Sequence, residues 1–291
     1  MKLKLITAAL AFLAAGSASA MTPANDVASG NSTLLLSVWK DAGVIGDVND
    51  DVAYIRSLEV AMNGFGTQNR GTAGFTTLVD SNTGYTQSWT GGAAWASFVS
   101  GMTTAQIEAM RWDVTALDGN GGSTADLKRV LTTSNTNLKT FVSQAGTQIQ
   151  NAAVTSATDG NNDGYWKAVI AAMGSGTEVV ISDPNSGAFT PGAAKHATNF
   201  AGGMLAVNTM STIGDADGMG FYYLTRSSSS NTAEAIVQAY ENAQGAASFK
   251  LAANGTLTYM APPPVPEADT YALMLAGLGL VGFIARRRKA D

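Results

Sequence analysis

One hexapeptide gathers hard oxygen donors at alternate positions: Asp159-Gly-Asn161-Asn-Asp163-Gly164. Carboxylate and amide oxygens in this spacing, closed by a glycine at the sixth position, suit the first half of a calcium loop. The twelfth position of such a loop needs a bidentate glutamate, and here it is Ile170. The same residue types also build ordinary turns, so Asp159, Asn161 and Asp163 stand as a calcium candidate beside a plain turn reading. Asp47, Asn49, Asp50 and Asp51, and separately Asp215 and Asp217, offer the same two readings. Calcium is the one cofactor these patterns allow, and otherwise none is expected. His196 is the single histidine and there is no cysteine. Thiolate metal sites and cysteine nucleophiles are thereby excluded, and a transition-metal centre has too few soft ligands. No nucleophile elbow, phosphate loop or dinucleotide glycine pattern occurs. Trp39, Trp89, Trp95, Trp112, Trp166, Tyr222 and Tyr223 could form a sugar-stacking platform, although aromatics in sheets more often fill a core. No catalytic residue is assigned, and the protein is expected not to be an enzyme.

The elements that must carry these groups are strand-rich. Charged residues make up 13% of the 291-residue chain, about half the usual ~25%. Hydrophobic residues make up 45%, ample for a core without disulfides. Ser32–Lys40 and Val52–Val60 read as adjacent strands joined by an acidic turn. Trp95, Phe98 and Val99 have helical spacing within Gly91–Ser100. Ile107–Leu117 reads as a strand, and the 3.6-residue period of Leu138, Phe141, Val142, Ala145, Ile149 and Ala152 predicts a helix over Ser134–Ala153. Further apolar runs cover Trp166–Met173 and Thr177–Ile181. The C-terminal third reads as an antiparallel meander with a hairpin turn at Asn254-Gly255. No internal repeat is present. The expected fold is mainly β: a single antiparallel β-sandwich-like domain with one or two helices.

The two ends have a different character. Lys2 and Lys4, the apolar run Leu5–Ala15 and the small residues Ala18-Ser19-Ala20 have the order of a secretory signal cleaved after Ala20. At the other end a proline-rich lead-in, Pro262–Pro266, meets Glu267. An uncharged run, Tyr271–Ala285, follows, and then Arg286, Arg287, Arg288 and Lys289. An apolar run wants hydrocarbon and the cations beside it resist translocation, so the segment reads as a membrane stop with its C-terminus inside. Its 15 residues fall short of the ~20 a full span takes, a deficit that snorkelling cations can cover. Between the ends, residues 21–265 carry 11 Lys/Arg and 19 Asp/Glu, a net charge of −8. Such a surface argues against nucleic acid and anionic lipid.

The tail resembles the PEP-CTERM sorting signal of Gram-negative bacteria, in which a Val-Pro-Glu-Pro motif precedes a short apolar helix and an arginine cluster. The matching residues are Val265, Pro266 and Glu267, then Tyr271–Phe283, then Arg286–Arg288; Ala268 stands where the family has its second proline. The resemblance implies recognition by an exosortase, transient residence in the inner membrane, and release to the cell surface or extracellular matrix. It also implies association with exopolysaccharide and biofilm formation. The expected organisation is a signal peptide (1–20), a polar lead-in (21–31), a β-rich extracytoplasmic domain (32–260), a proline-rich linker with the sorting motif (261–267), a transmembrane helix (268–285) and a basic cytoplasmic tail (286–291). The partners implied are the Sec translocon, signal peptidase, the exosortase and exopolysaccharide. A structural or adhesive matrix protein is the leading reading. A carbohydrate-binding module, with or without calcium, and a matrix-polymer hydrolase are the alternatives.

Overall fold

The computed structural model describes residues 27, 30–40, 52–65, 86–119, 128–142, 148–158, 160–182, 210–242 and 245–261, and a short stretch within 274–281. Its strands are β1 (Thr33–Lys40), β2 (Val52–Ala61), β3 (Thr86–Thr90), β4 (Arg111–Asp118), β5 (Arg129–Ser134), β6 (Glu178–Ile181), β7 (Ser211–Thr212), β8 (Met219–Thr225), β9 (Ile236–Ala239), β10 (Glu241–Asn242), β11 (Gly245–Ala246), β12 (Ser248–Leu251) and β13 (Thr256–Met260). The helices are α1 (Ala93–Phe98), α2 (Thr104–Ala109), α3 (Asn151–Ala157) and α4 (Gly160–Met173).

Eleven strands form one sheet with the order β3-β13-β12-β8-β5-β4-β1-β2-β6, with β7 on β4 and β9 on β8; β10 and β11 pair separately. Every pairing is antiparallel. The mainly-β, antiparallel expectation therefore holds, but the described strands make one connected, curled sheet where two packed sheets were expected. The sequence of β1 explains how one sheet can carry the whole core. Leu34, Leu36 and Val38 point to one face and Leu35 and Trp39 to the other, and all five are buried. A strand that is apolar on both sides must be covered on both sides. The concave face holds an aromatic-rich core, including Tyr54, Phe65, Trp95, Trp112, Phe221, Phe249 and Tyr259. On the other face, Leu35, Ile55, Leu117, Val130 and Leu224 pack with Val154, Trp166 and Val169 of α3 and α4.

Several predicted elements survive and others do not. Trp95 and Phe98 are the buried residues of α1, as their spacing implies. At Asn254-Gly255, Gly255 has φ 80° and donates its N–H to Ala252 O, while Asn254 Oδ1 accepts from Thr256 N. The strand expected from Ile107 starts at Arg111 instead. Thr103 and Gln106 form a reciprocal capping box that starts α2 and keeps Ile107–Ala109 helical. The helix expected over Ser134–Ala153 is contradicted in its first half. Ser134 ends β5, its hydroxyl bonds the backbone of Thr136, and Asn137 Oδ1 accepts from Lys139 N. These local bonds compete with the helical ladder. Leu138, Ile149 and Ala153 are still buried, but from a turn, a bridge-flanking segment and α3 respectively. Trp166–Met173 is helical and extends back to Gly160 as α4.

Candidate functional site

The charged constellation most worth following joins distant parts of the chain. Arg56 lies in β2, Glu178 opens β6, and the two form an ion pair with side chains 12% and 11% exposed. Arg56 Nη1 also donates to Thr90 O at 2.9 Å. The Glu178 carboxylate accepts the Gly92 N–H at 2.8 and 3.1 Å. One turn away, Trp89 Nε1 donates to Leu58 O at 3.0 Å. β3 and β6 are the two ends of the sheet order, so this pair, the indole and the backbone groups they hold bring those ends together. The approach is close enough to exclude side chains. A Cβ on Gly91 would lie 2.6 Å from Trp95 Cβ, and one on Gly255 would lie 2.6 Å from the Trp95 ring. Tyr54 stacks on Phe98 at 5.7 Å and meets Trp95 edge-on at 5.1 Å beneath the pair. Burial, and then the Glu178 charge, push its phenol pKa well above the usual value.

This arrangement closes the sheet: Arg56 Nη1 and the Glu178 carboxylate are engaged, while Arg56 Nε and the Tyr54 hydroxyl are buried with no hydrogen-bond partner among the described residues. Glu178→Ala is expected to cost about 1–3 kcal/mol, because it removes the ion-pair partner of the largely buried Arg56. Hydrogen exchange across Thr86–Phe98 should accelerate more than elsewhere; unchanged protection there would contradict the closing role.

A second pair is deeper. Asp118 and Arg129 face each other across β4 and β5, with side chains 0% and 1% exposed. Arg129 Nε donates to Asp118 Oδ2 at 2.6 Å, and Nη2 donates to Gly30 O at 2.6 Å. Asp118 ends β4, one residue past the strand expected over Ile107–Leu117. A charged residue ending an apolar strand was the available signal, since charges are scarce in this chain.

The other candidates fall as follows. Trp39, Trp89, Trp95, Trp112, Trp166, Tyr222 and Tyr223 are all buried, so these seven are core residues and present no stacking platform. Burial also raises the Tyr222 pKa. Asn161 and Asp163 lie in the first turns of α4, where the backbone is helical and not looped, and Asp159 lies outside the described residues. Asp215 sits in a turn, its Oδ2 accepting from Ser211 Oγ at 2.7 Å and its Oδ1 from Asp217 N at 3.1 Å. Among the described residues, no three His, Asp or Glu side chains are grouped to hold a metal ion. Asp47, Asn49, Asp50, Asp51 and His196 lie outside the described residues, as do Ala18 and Ala20 of the signal.

Ala261, directly after β13, is buried in the aromatic core. Val265, Pro266, Glu267 and Arg286–Lys289 lie outside the described residues. Residues 274–278 and 280–281 are helical, with Met274, Leu275, Leu278, Leu280 and Val281 exposed. Among the described residues no helix is long and apolar enough to cross a membrane.

A short tail of this order defines a class of exported, enzyme-sorted proteins. The family model described as the PEP-CTERM protein-sorting motif matches residues 264–289. The chain thus carries the sorting motif of exosortase substrates and is directed to the cell surface. No curated protein and no solved structure matches the chain.

Proposed function

We propose that the protein is a structural or adhesive component of the exopolysaccharide matrix, exported by the Sec route, trimmed by signal peptidase and sorted by an exosortase. The observation that carries this reading is the sorting motif at residues 264–289, which begins three residues after Ala261, the buried residue that follows β13. The tail passes transiently through the inner membrane, and the domain it delivers acts by binding or scaffolding, without catalysis. Burial of the aromatics that could have stacked on sugars favours scaffolding over a carbohydrate-binding module built on those seven residues. A chain ending at Ala261 tests the role of the tail. The domain should fold with unchanged thermal stability, because the removed residues make no part of the described core. It should, however, be lost from the cell-surface and matrix fractions. Retention of the truncated chain in those fractions at the native level would refute the proposal.

A further inference from the structure

We propose that the rim of the sheet where β13 ends is a docking surface for the membrane-embedded sorting enzyme. This rests on the sorting reading above. Met260 is paired with Thr86 of β3 and Ser248 of β12, and Ala261 is buried. The end of β13 is therefore fixed between two neighbours. Leu257 and Tyr259 are buried beneath it, so the strand cannot peel away without opening the core.

From Ala261 to Val265 there are four residue steps, which reach at most about 14 Å when fully extended, and Glu267 lies at most about 21 Å away. An enzyme that grips Val265, Pro266 and Glu267 must bring its active site within that distance of the folded surface. A globular domain cannot stand clear of a membrane protein on so short a tether. The two surfaces must touch, and they touch at this rim.

The composition of the rim fits that partner. Of the strands that begin or end here, the terminal residues are Thr86 of β3, Met260 of β13 and Ser248 of β12. None is charged, in a chain whose formal charge is −5. Thr86 is exposed and Met260 is 42% exposed, although both occupy regular strand positions. These three uncharged positions carry no ions to be stripped of water when they meet another protein surface. Charges placed here would have to be desolvated or held off.

The test is a pulse-chase of tail cleavage in the native host. Three chains are compared: the native one, the double variant Thr86→Glu with Met260→Glu, and that double variant with a twelve-residue Gly/Ser spacer after Ala261. Both substituted side chains are exposed, and matched thermal melting of the purified domains checks that folding is intact. The double variant should be cleaved on the order of tenfold more slowly, since unmatched charge at a contact suppresses association. The spacer should restore the native rate, because a flexible link of that length adds about 19 Å of mean reach. Equal rates in the native chain and the double variant would overturn the proposal. So would a slow rate that the spacer leaves unchanged. Altered adsorption of the variant to lipid vesicles with unchanged cleavage would assign the rim to the bilayer, and would also overturn it. Failure of the native chain to be cleaved at all is a different result: it removes the sorting reading, and this inference with it.

Discussion

Asp118→Ala is expected to lower the unfolding free energy by about 3–5 kcal/mol, a large fraction of the total for a domain of this size. The reason lies in what remains. Arg129 is 1% exposed, and its guanidinium bridges the Asp118 carboxylate and Gly30 O, tying the β4–β5 pair to the segment that leads into β1. Removing the carboxylate takes a buried anion from beside the guanidinium and breaks the Nε hydrogen bond. Replacing both partners together, Asp118→Leu with Arg129→Met, removes the guanidinium as well as the bond. Buried pairs replaced by apolar residues of similar volume are often neutral or stabilising. The double variant should therefore recover most of the loss in a urea titration. A single variant within about 1 kcal/mol of the native chain would show that the pair is solvated and does not fix this end of the sheet.

Phe221→Ala is the second large effect, at about 3–5 kcal/mol. Phe221 lies on β8 and points into the concave core. Its ring centroid is 4.9 Å from Tyr240, 5.0 Å from Phe249, 5.2 Å from Phe65 and 6.1 Å from Tyr259. Four aromatic partners from different segments meet on this one ring, so truncation opens a cavity that no single neighbour can fill. Tyr240 adds a hydrogen bond from its hydroxyl to Phe65 O at 2.7 Å, which holds the cluster from the other side. Phe221→Leu keeps much of the volume and should lose clearly less than the alanine variant. Equal losses for the two would mean that ring packing, and not volume, dominates. A loss below about 1 kcal/mol for alanine would show that the concave core is not the main source of stability.

The fold was legible where burial and local chemistry agreed. β1 stands out because its apolar run is buried on both faces, and the hairpin at Asn254-Gly255 is set by two adjacent residues. α1 follows from Trp95 and Phe98 alone. Where local hydrogen bonding overrode periodicity, the sequence misled. The spacing of Leu138, Ile149 and Ala153 is helical, but Ser134 and Asn137 bond their own neighbouring backbone and end the regular structure first. β3, Thr-Gln-Ser-Trp-Thr, hardly resembles a strand. It exists because β13 offers it a five-residue pairing partner some 170 positions away.

The closure by Arg56 and Glu178 was illegible for the same reason. The two are 122 residues apart, and neither carries a local motif. The sorting tail is the opposite case. Its order of prolines, apolar run and arginines is wholly local, and the motif match at residues 264–289 needs no tertiary information. The concentration of recognisable chemistry in the last tenth of the chain reflects this. A sorting enzyme reads a linear segment, whereas the domain ahead of it must satisfy its own core.

The most direct test is the intact mass and cell fraction of the protein from its native host, with and without the exosortase. The account predicts a product ending between Val265 and Ala268, outside the inner membrane, in the strain that has the enzyme. In the strain without it, the chain should keep Arg286–Lys289 and stay in the inner membrane. A full-length chain in the inner membrane of both strains would contradict the account.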